Sequence, residues 1–347
     1  MKIRLLTLLL FAGHILSAQI TFIPDSIFEQ KLIDLNYDIF HDGWVITDSI
    51  NSIDSLDISS FNGQTDKITD LTGIEDFSNL QYLNCSNNKF DTLNLNNNQY
   101  LKHIICASDS IEVLMTDSLF SLDKLQCNSN NITELNLLGN PSLTELGCWD
   151  NQLDNLNLSN NIYLGYLNCG ENNITSLDVS MLDLYDLRCQ NNAISTINLD
   201  NNYSLEWLSC YNNNLQNINL TVNTNLIVLN VGNVSSQPSI YSNDLNSLDL
   251  SNNCNITTFY SKGNANLECI QVCDISAANN WNTQNIDTQH FFSIDCNYTA
   301  TNEGSERNQK IISIKDIYGR ESDIHTNSFL FYIYQNGRVK KRIILDN

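Results

Sequence analysis

Proline is nearly missing from this chain, with three among 347 residues, and glycine is sparse at thirteen. That composition excludes collagen-like and proline-rich linker architectures and suits a regular chain over a loop-rich one. Positive charge is equally scarce. Seventeen Lys and Arg stand against 39 Asp and Glu, for a formal net charge of −22 and a pI near 4.3. A field of that sign repels phosphate backbones and anionic lipid, so nucleic acid is not an expected partner. Past the first residues no apolar run is long enough to span a bilayer, so no membrane span is expected in the mature chain. Catalytic signatures are lacking too. There is no H-E-x-x-H, no G-x-S-x-G and no glycine-rich phosphate loop, and no C-x-x-C pair suggests zinc. The five histidines, His14, His41, His103, His290 and His325, are scattered. We expect no enzyme, no cofactor and no metal.

What is present begins with an address. Lys2 and Arg4 precede the apolar stretch Leu5 to Ala12, and Ser17-Ala18 offers a small-residue cleavage site. Residues 1–18 thus read as a secretory signal.

The middle of the chain repeats itself, which decides its architecture. Leu80, Leu83, Cys85, Asn88, Phe90, Leu93 and Leu95 recur as Leu122, Leu125, Cys127, Asn130, Ile132, Leu135 and Leu137. They recur again from Leu143, Leu164, Leu184 and Leu205, ending the first half of each turn on Cys148, Cys169, Cys189 and Cys210. A poorer copy runs from Leu101 through Ile104, Cys106, Asp109 and Ile111, and another from Leu226 puts Val231 at the cysteine position. The unit is about 21 residues long and reads L-x-x-L-x-C-x-x-N-x-L-x-x-L-x-L-x-x-N. Its L-x-C segment alternates as a half-buried strand must. One such unit cannot cover its apolar side, so only a stack is stable.

These residues resemble the leucine-rich repeat family, L-x-x-L-x-L-x-x-N/C-x-L, over roughly residues 50–275. The resemblance implies a right-handed leucine-rich-repeat solenoid, rich in β-structure, with parallel strands lining its concave side. The return half should be extended or made of short helical turns. Three departures stand out. One position is lost near 181–184, a loop enters at Gly232 to Asp244, and the turn after Asn253 reads as truncated. We read the loop as a tolerated surface insertion.

Seven cysteines, Cys85, Cys106, Cys127, Cys148, Cys169, Cys189 and Cys210, occupy one repeat position. Each stands where the consensus has an inward leucine, and a buried thiol behaves as a small hydrophobe. Adjacent strands lie about 4.8 Å apart, closer than the usual Cα separation of a disulfide, so these thiols are expected to stay reduced. A second ladder, Asn88, Asn130, Asn151, Asn172, Asn192 and Asn213, should satisfy main-chain groups of the turns.

The ends need covers. Phe28, Leu32 and Leu35 share a helical face after Pro24-Asp25, which predicts a capping helix. Asp34, Asn36 and Asp38 faintly resemble a calcium loop, but Ile39 fills the position that needs glycine. At the far end a Cys269–Cys296 bridge would pin the last turn's cover in an oxidising compartment, with Cys254–Cys273 as its complement.

The final residues resemble the later part of the C-terminal sorting domain of type IX secretion. The matching features are Asp316, Gly319 and Arg320, then Phe331-Tyr332-Ile333-Tyr334 before Asn336-Gly337, then a basic, aliphatic ending. The resemblance implies the type IX secretion machinery as a partner and a secreted or outer-surface location. The expected division is 1–18 signal, 19–49 N-terminal cap, 50–275 repeats, 276–300 C-terminal cap, 301–308 linker and 309–347 β tail.

Function should lie on the strands. Residues three before, one before and one after each cysteine are expected to face outward. They include Tyr82, His103, Trp149, Tyr166, Arg188, Trp207 and Tyr211, and Tyr166, Arg188 and Trp207 fall on consecutive turns. Exposed aromatics on a rigid sheet are typical anchors for a protein or glycan ligand. The expectation is an adhesin-like, exported binding protein, with a ligand-free structural component of the cell surface as the alternative.

Overall fold

The computed structural model describes residues 19–61, 63, 65–233, 242–296, 311–315, 320–321, 328–334 and 339–344. The signal-like segment 1–18, the linker 301–308, Asp316, Gly319, Asn336, Gly337 and most of the loop after Gly232 lie outside them.

The first half of each turn forms a three-residue strand, and ten such strands pair in parallel in chain order. They run from Ser55–Asp57 through Tyr82–Asn84, His103–Ile105, Lys124–Gln126, Glu145–Gly147, Tyr166–Asn168, Asp186–Arg188, Trp207–Ser209 and Val228–Asn230 to Thr258–Tyr260. The central residue of every strand is apolar and buried. Leu83, Ile104, Leu125, Leu146, Leu167, Leu187, Leu208, Leu229 and Phe259 form one row of register partners. The alternation forces this arrangement, because a one-residue slip would turn the whole row to solvent. Two residues further on, the seven cysteines make a second buried row. Their amides extend the ladder, as where Cys106 N donates to Gln126 O at 2.8 Å and Cys148 N to Asn168 O at 2.9 Å.

The return halves carry little regular structure, with a short 3-10 turn at Ile74–Asp76 in the first, and some of them pair as strands. Thr92–Asn94 pairs with Val113–Met115, and Leu248–Leu250 pairs with Cys269–Val272. Their inward leucines meet the strand rows in one continuous core. The fold is a parallel-strand leucine-rich-repeat solenoid with few helices.

The last turn is complete, which corrects the reading of a truncated one. Ile256 and Phe259 open it, Ser261 holds the cysteine position and Asn264 the asparagine position. Ile270 and Val272 fill its return half, in register with Leu248 and Leu250. The sequence hid this turn because Ser replaces Cys and an extra residue separates Asn264 from Leu267.

Both ends are covered. Asp25 caps the helix Ser26–Asp34 by accepting from Ile27 N and Phe28 N, and the helix buries Phe28 and Leu32 while Leu35, at its C-cap, stays 38% exposed. A two-stranded antiparallel ribbon, Ile20–Phe22 with Trp44–Ile46, lies beside it. At the other end Trp281 packs on Phe259 at 4.6 Å and edge-on to Phe292 at 5.3 Å, and its Nε1 donates to Ile256 O. Disulfides join Cys269 to Cys296 and Cys254 to Cys273. The tail strands Ile311–Lys315, Ser328–Tyr334 and Val339–Ile344 form an antiparallel three-stranded sheet. Among the described residues no helix is long and apolar enough to cross a membrane.

Candidate functional site

Two polar ladders fix the strand face. Asn151 illustrates the first. Its Nδ2 donates to Cys127 O at 3.0 Å and Cys148 O at 3.1 Å, and its Oδ1 accepts from Ile132 N at 3.0 Å. Asn130, Asn172, Asn192 and Asn213 repeat the pattern. Asn243 and Asn264, which the sequence reading omitted, extend it past the insertion. A second ladder was not anticipated as a hydrogen-bonding device. Asn98, Asn140, Asn161, Asn202, Asn223 and Asn253 donate to carbonyls of the preceding turn. Turns bolted along both edges hold their outward side chains in fixed register.

The cysteine row packs inside the solenoid as free, buried thiols. Burial pushes every thiol up, Cys127 and Cys189 to about 12, and a thiol rather than a thiolate is a poor nucleophile and metal ligand.

Outside, the residues three before each cysteine form one row of partners. It runs Tyr82, His103, Lys124, Glu145, Tyr166, Asp186, Trp207. Arg188 leans across this row. Its guanidinium carbon lies 4.7 Å from the Trp207 ring centroid and 5.8 Å from that of Tyr166. Its Nε and Nη2 donate to both carboxylate oxygens of Asp186 at 3.0 and 2.8 Å. That fork raises the Arg188 pKa, and the planar group stacks as arginine does on aromatics. Tyr166, Arg188 and Trp207 therefore form one rigid platform.

Not every expected residue joins it. Tyr82 stands four strands from Tyr166, roughly 19 Å at the usual strand spacing, and His103 three. His103 instead faces Asp123, with Nε2 at 3.4 Å from Oδ2. Trp149 and Tyr211 lie in the tier after the cysteines, three strands apart, or roughly 14 Å. Exposure departs from expectation as well. Trp207 is exposed, whereas Tyr82, His103, Trp149, Tyr166, Arg188 and Tyr211 are half-buried. The tier one before the cysteine is the least open, with Gly147, Asn168 and Ser209 buried.

Sequence reasoning missed Tyr185, one position upstream of the tiers considered. Its exposed ring lies over Gly165, where a Cβ would come within 2.8 Å of it. Burial, then the nearby Glu145 and Asp186 carboxylates, raise its pKa. The glycine was the available signal, since a missing side chain on an outward position lets a neighbour lie down. Lys124 and Glu145 were also missed. They pair at 2.6 Å beside the platform. Among the described residues, no group of three or more His, Cys, Asp or Glu is placed to hold a metal.

No protein-family model and no curated protein matches the chain. Solved structures do. The functional domain of InlJ from Listeria monocytogenes, described as including a cysteine ladder, is 26% identical with a TM-score of 0.58, over 79% of this chain and 61% of that one. A leucine-rich-repeat protein of Leptospira interrogans is 20% identical with a TM-score of 0.55, over 71% of this chain and 62% of that one. Internalin C2 of Listeria monocytogenes is 24% identical with a TM-score of 0.53, over 60% of this chain and 96% of that one. The chain thus spans about three fifths of the length of the first two. Its fold is that of the leucine-rich-repeat proteins.

Proposed function

We propose that this chain is an exported, non-catalytic binding protein that grips a protein or glycan with the outward face of its strands. The Tyr166–Arg188–Trp207 platform carries the reading. Two aromatic rings and a guanidinium are already held in one geometry, so a ligand meets large side chains that lose little freedom on contact. The adhesin-like role, the N-terminal signal and the type IX address of the tail belong to the same proposal. So does the division into signal, caps, repeats, linker and tail.

The test is a protein and glycan array probed with the mature chain. Alanine at Trp149, Tyr166 and Trp207 should abolish capture while leaving the unfolding midpoint within a few degrees. Capture undiminished in that variant removes the strand face as the binding surface. For export, deleting 309–347 should retain the chain inside a bacterium that runs type IX secretion, and unchanged release overturns the address.

A second reading, a structural surface component, is favoured by one observation. Tyr100, Phe120, Tyr163 and Tyr203 are each more than half exposed in the turns that lead into the strands. Such side chains suit self-association. Sedimentation that is independent of concentration up to millimolar protein would dismiss it.

A further inference from the structure

The charges around the platform are not balanced. The cations beside the platform, Lys124 and Arg188, already have partners in Glu145 and Asp186. Three carboxylates, Asp150, Glu171 and Glu206, are exposed and make no hydrogen bond or ion pair among the described residues. Each stands beside an aromatic. Glu206 follows Tyr185 in the stack, with its amide donating to Tyr185 O at 2.9 Å, and it precedes Trp207 in the chain. Asp150 follows Trp149, and Glu171 lies close enough to Tyr211 to add to the rise in its pKa that burial causes first. Asp150 and Glu171 also face each other across adjacent turns, and after burial this is the second cause that raises the Glu171 pKa. Two like charges held together are relieved by an arriving cation.

A partly exposed ring beside an unpaired carboxylate attracts a positive charge twice, through the ring's quadrupole and through the ion. The surrounding field, −22 over the chain, draws cations and repels anions. An anionic polysaccharide would have to approach carboxylates with no free cation to meet it. A neutral glycan would leave the three carboxylates uncompensated.

We propose that the strand face between Glu145 and Tyr211 binds a protein partner through its lysine or arginine side chains, seated between Trp207, Tyr185 and Tyr211 and the carboxylates of Glu206, Glu171 and Asp150. This rests on the strand face being the binding surface and adds the chemistry of what is bound.

The test uses the mature chain and a labelled lysine octapeptide, with a glutamate octapeptide and neutral cellohexaose as comparison probes, in about 150 mM salt, where long-range charge effects are screened. The lysine peptide should bind and the glutamate peptide should not. Asp150→Asn with Glu171→Gln should weaken lysine-peptide binding at least about fivefold. Glu134→Gln with Asp154→Asn removes the same charge from exposed return-half positions and should change it by less than about 1.5-fold. Equal losses in the two variants would mean that the overall field, not this site, holds the peptide, and would overturn the proposal. So would cellohexaose binding in place of the lysine peptide. If Trp207→Ala then abolished the cellohexaose binding, the strand face would stand and only the cationic class would fall. If Trp207→Ala altered neither probe, both readings would fall.

Discussion

Replacing Asp109 by asparagine should stabilise the protein above pH 7 and change little below pH 4. Asp109 occupies a ladder position that is asparagine in the turns from Asn130 to Asn213. Its Oδ1 accepts from Asn88 N at 2.6 Å, but its buried Oδ2 has no partner. An asparagine there would offer Nδ2 to carbonyls, as Asn130 does to Cys106 O and Cys127 O. A carboxylate has no hydrogen to donate, whereas a neutral carboxyl has one. Burial accordingly pushes the Asp109 pKa up from 3.8 to about 7, against the Asn88 amide and the Lys67 charge, which lower it. A folded-state pKa above the unfolded value contributes stability that is fully present below about pH 4. It declines between about pH 4 and 7 and is lost as the pH passes the folded value. Three pH units at about 1.4 kcal/mol each give a loss of roughly 4 kcal/mol across that window. The introduced asparagine does not titrate, so the stability of Asp109→Asn minus that of the parent isolates this group. Urea unfolding at half-unit steps from about pH 4 to 8 should show the difference growing by about 1.4 kcal/mol per unit and levelling off above about pH 7. A difference that stays flat within about 0.5 kcal/mol over the range would refute the reasoning, because the buried acid would then be charged in both states.

Four further outcomes are expected. Asn151→Ala strands Ile132 N and weakens the hold on Cys127 O and Cys148 O, and should cost roughly 1–3 kcal/mol in urea unfolding. Iodoacetamide on the native, unreduced chain should leave all seven ladder thiols unmodified, and intact mass after unfolding without reduction should show seven additions. Gly139→Ala drives a Cβ into the Asp117 backbone and should destabilise by roughly 1–3 kcal/mol, read as a lowered urea midpoint. Gly165→Ala displaces the Tyr185 ring instead, so ligand capture should fall in a binding assay while the midpoint moves little.

The solenoid was legible because its signal is repeated. A row such as Leu83, Ile104 and Leu125 has the same inward duty in every turn, so one correct turn assigns the others. What could not be read were the events that break the repeat or need two turns at once. Ser261 in place of cysteine disguised a full turn as a fragment. The Asn98-to-Asn253 ladder was visible as a recurring letter, but its purpose depends on carbonyls of the preceding turn, which only stacking brings near. The candidate site divides the same way. Tyr166, Arg188 and Trp207 were adjacent on paper because their turns are consecutive. That Arg188 lies over both rings depends on Asp186 taking its fork, and no spacing rule states that. Tyr185 escaped because its exposure is granted by Gly165 on a different turn.

Hydrogen exchange of the chain, free and saturated with whichever ligand it captures, tests the binding claim most directly. Added protection should concentrate in the strand segments from Glu145 to Tyr211 and leave the return halves and the tail as they were. Protection confined to the return halves, the caps or the tail, with those strands unchanged, would contradict it.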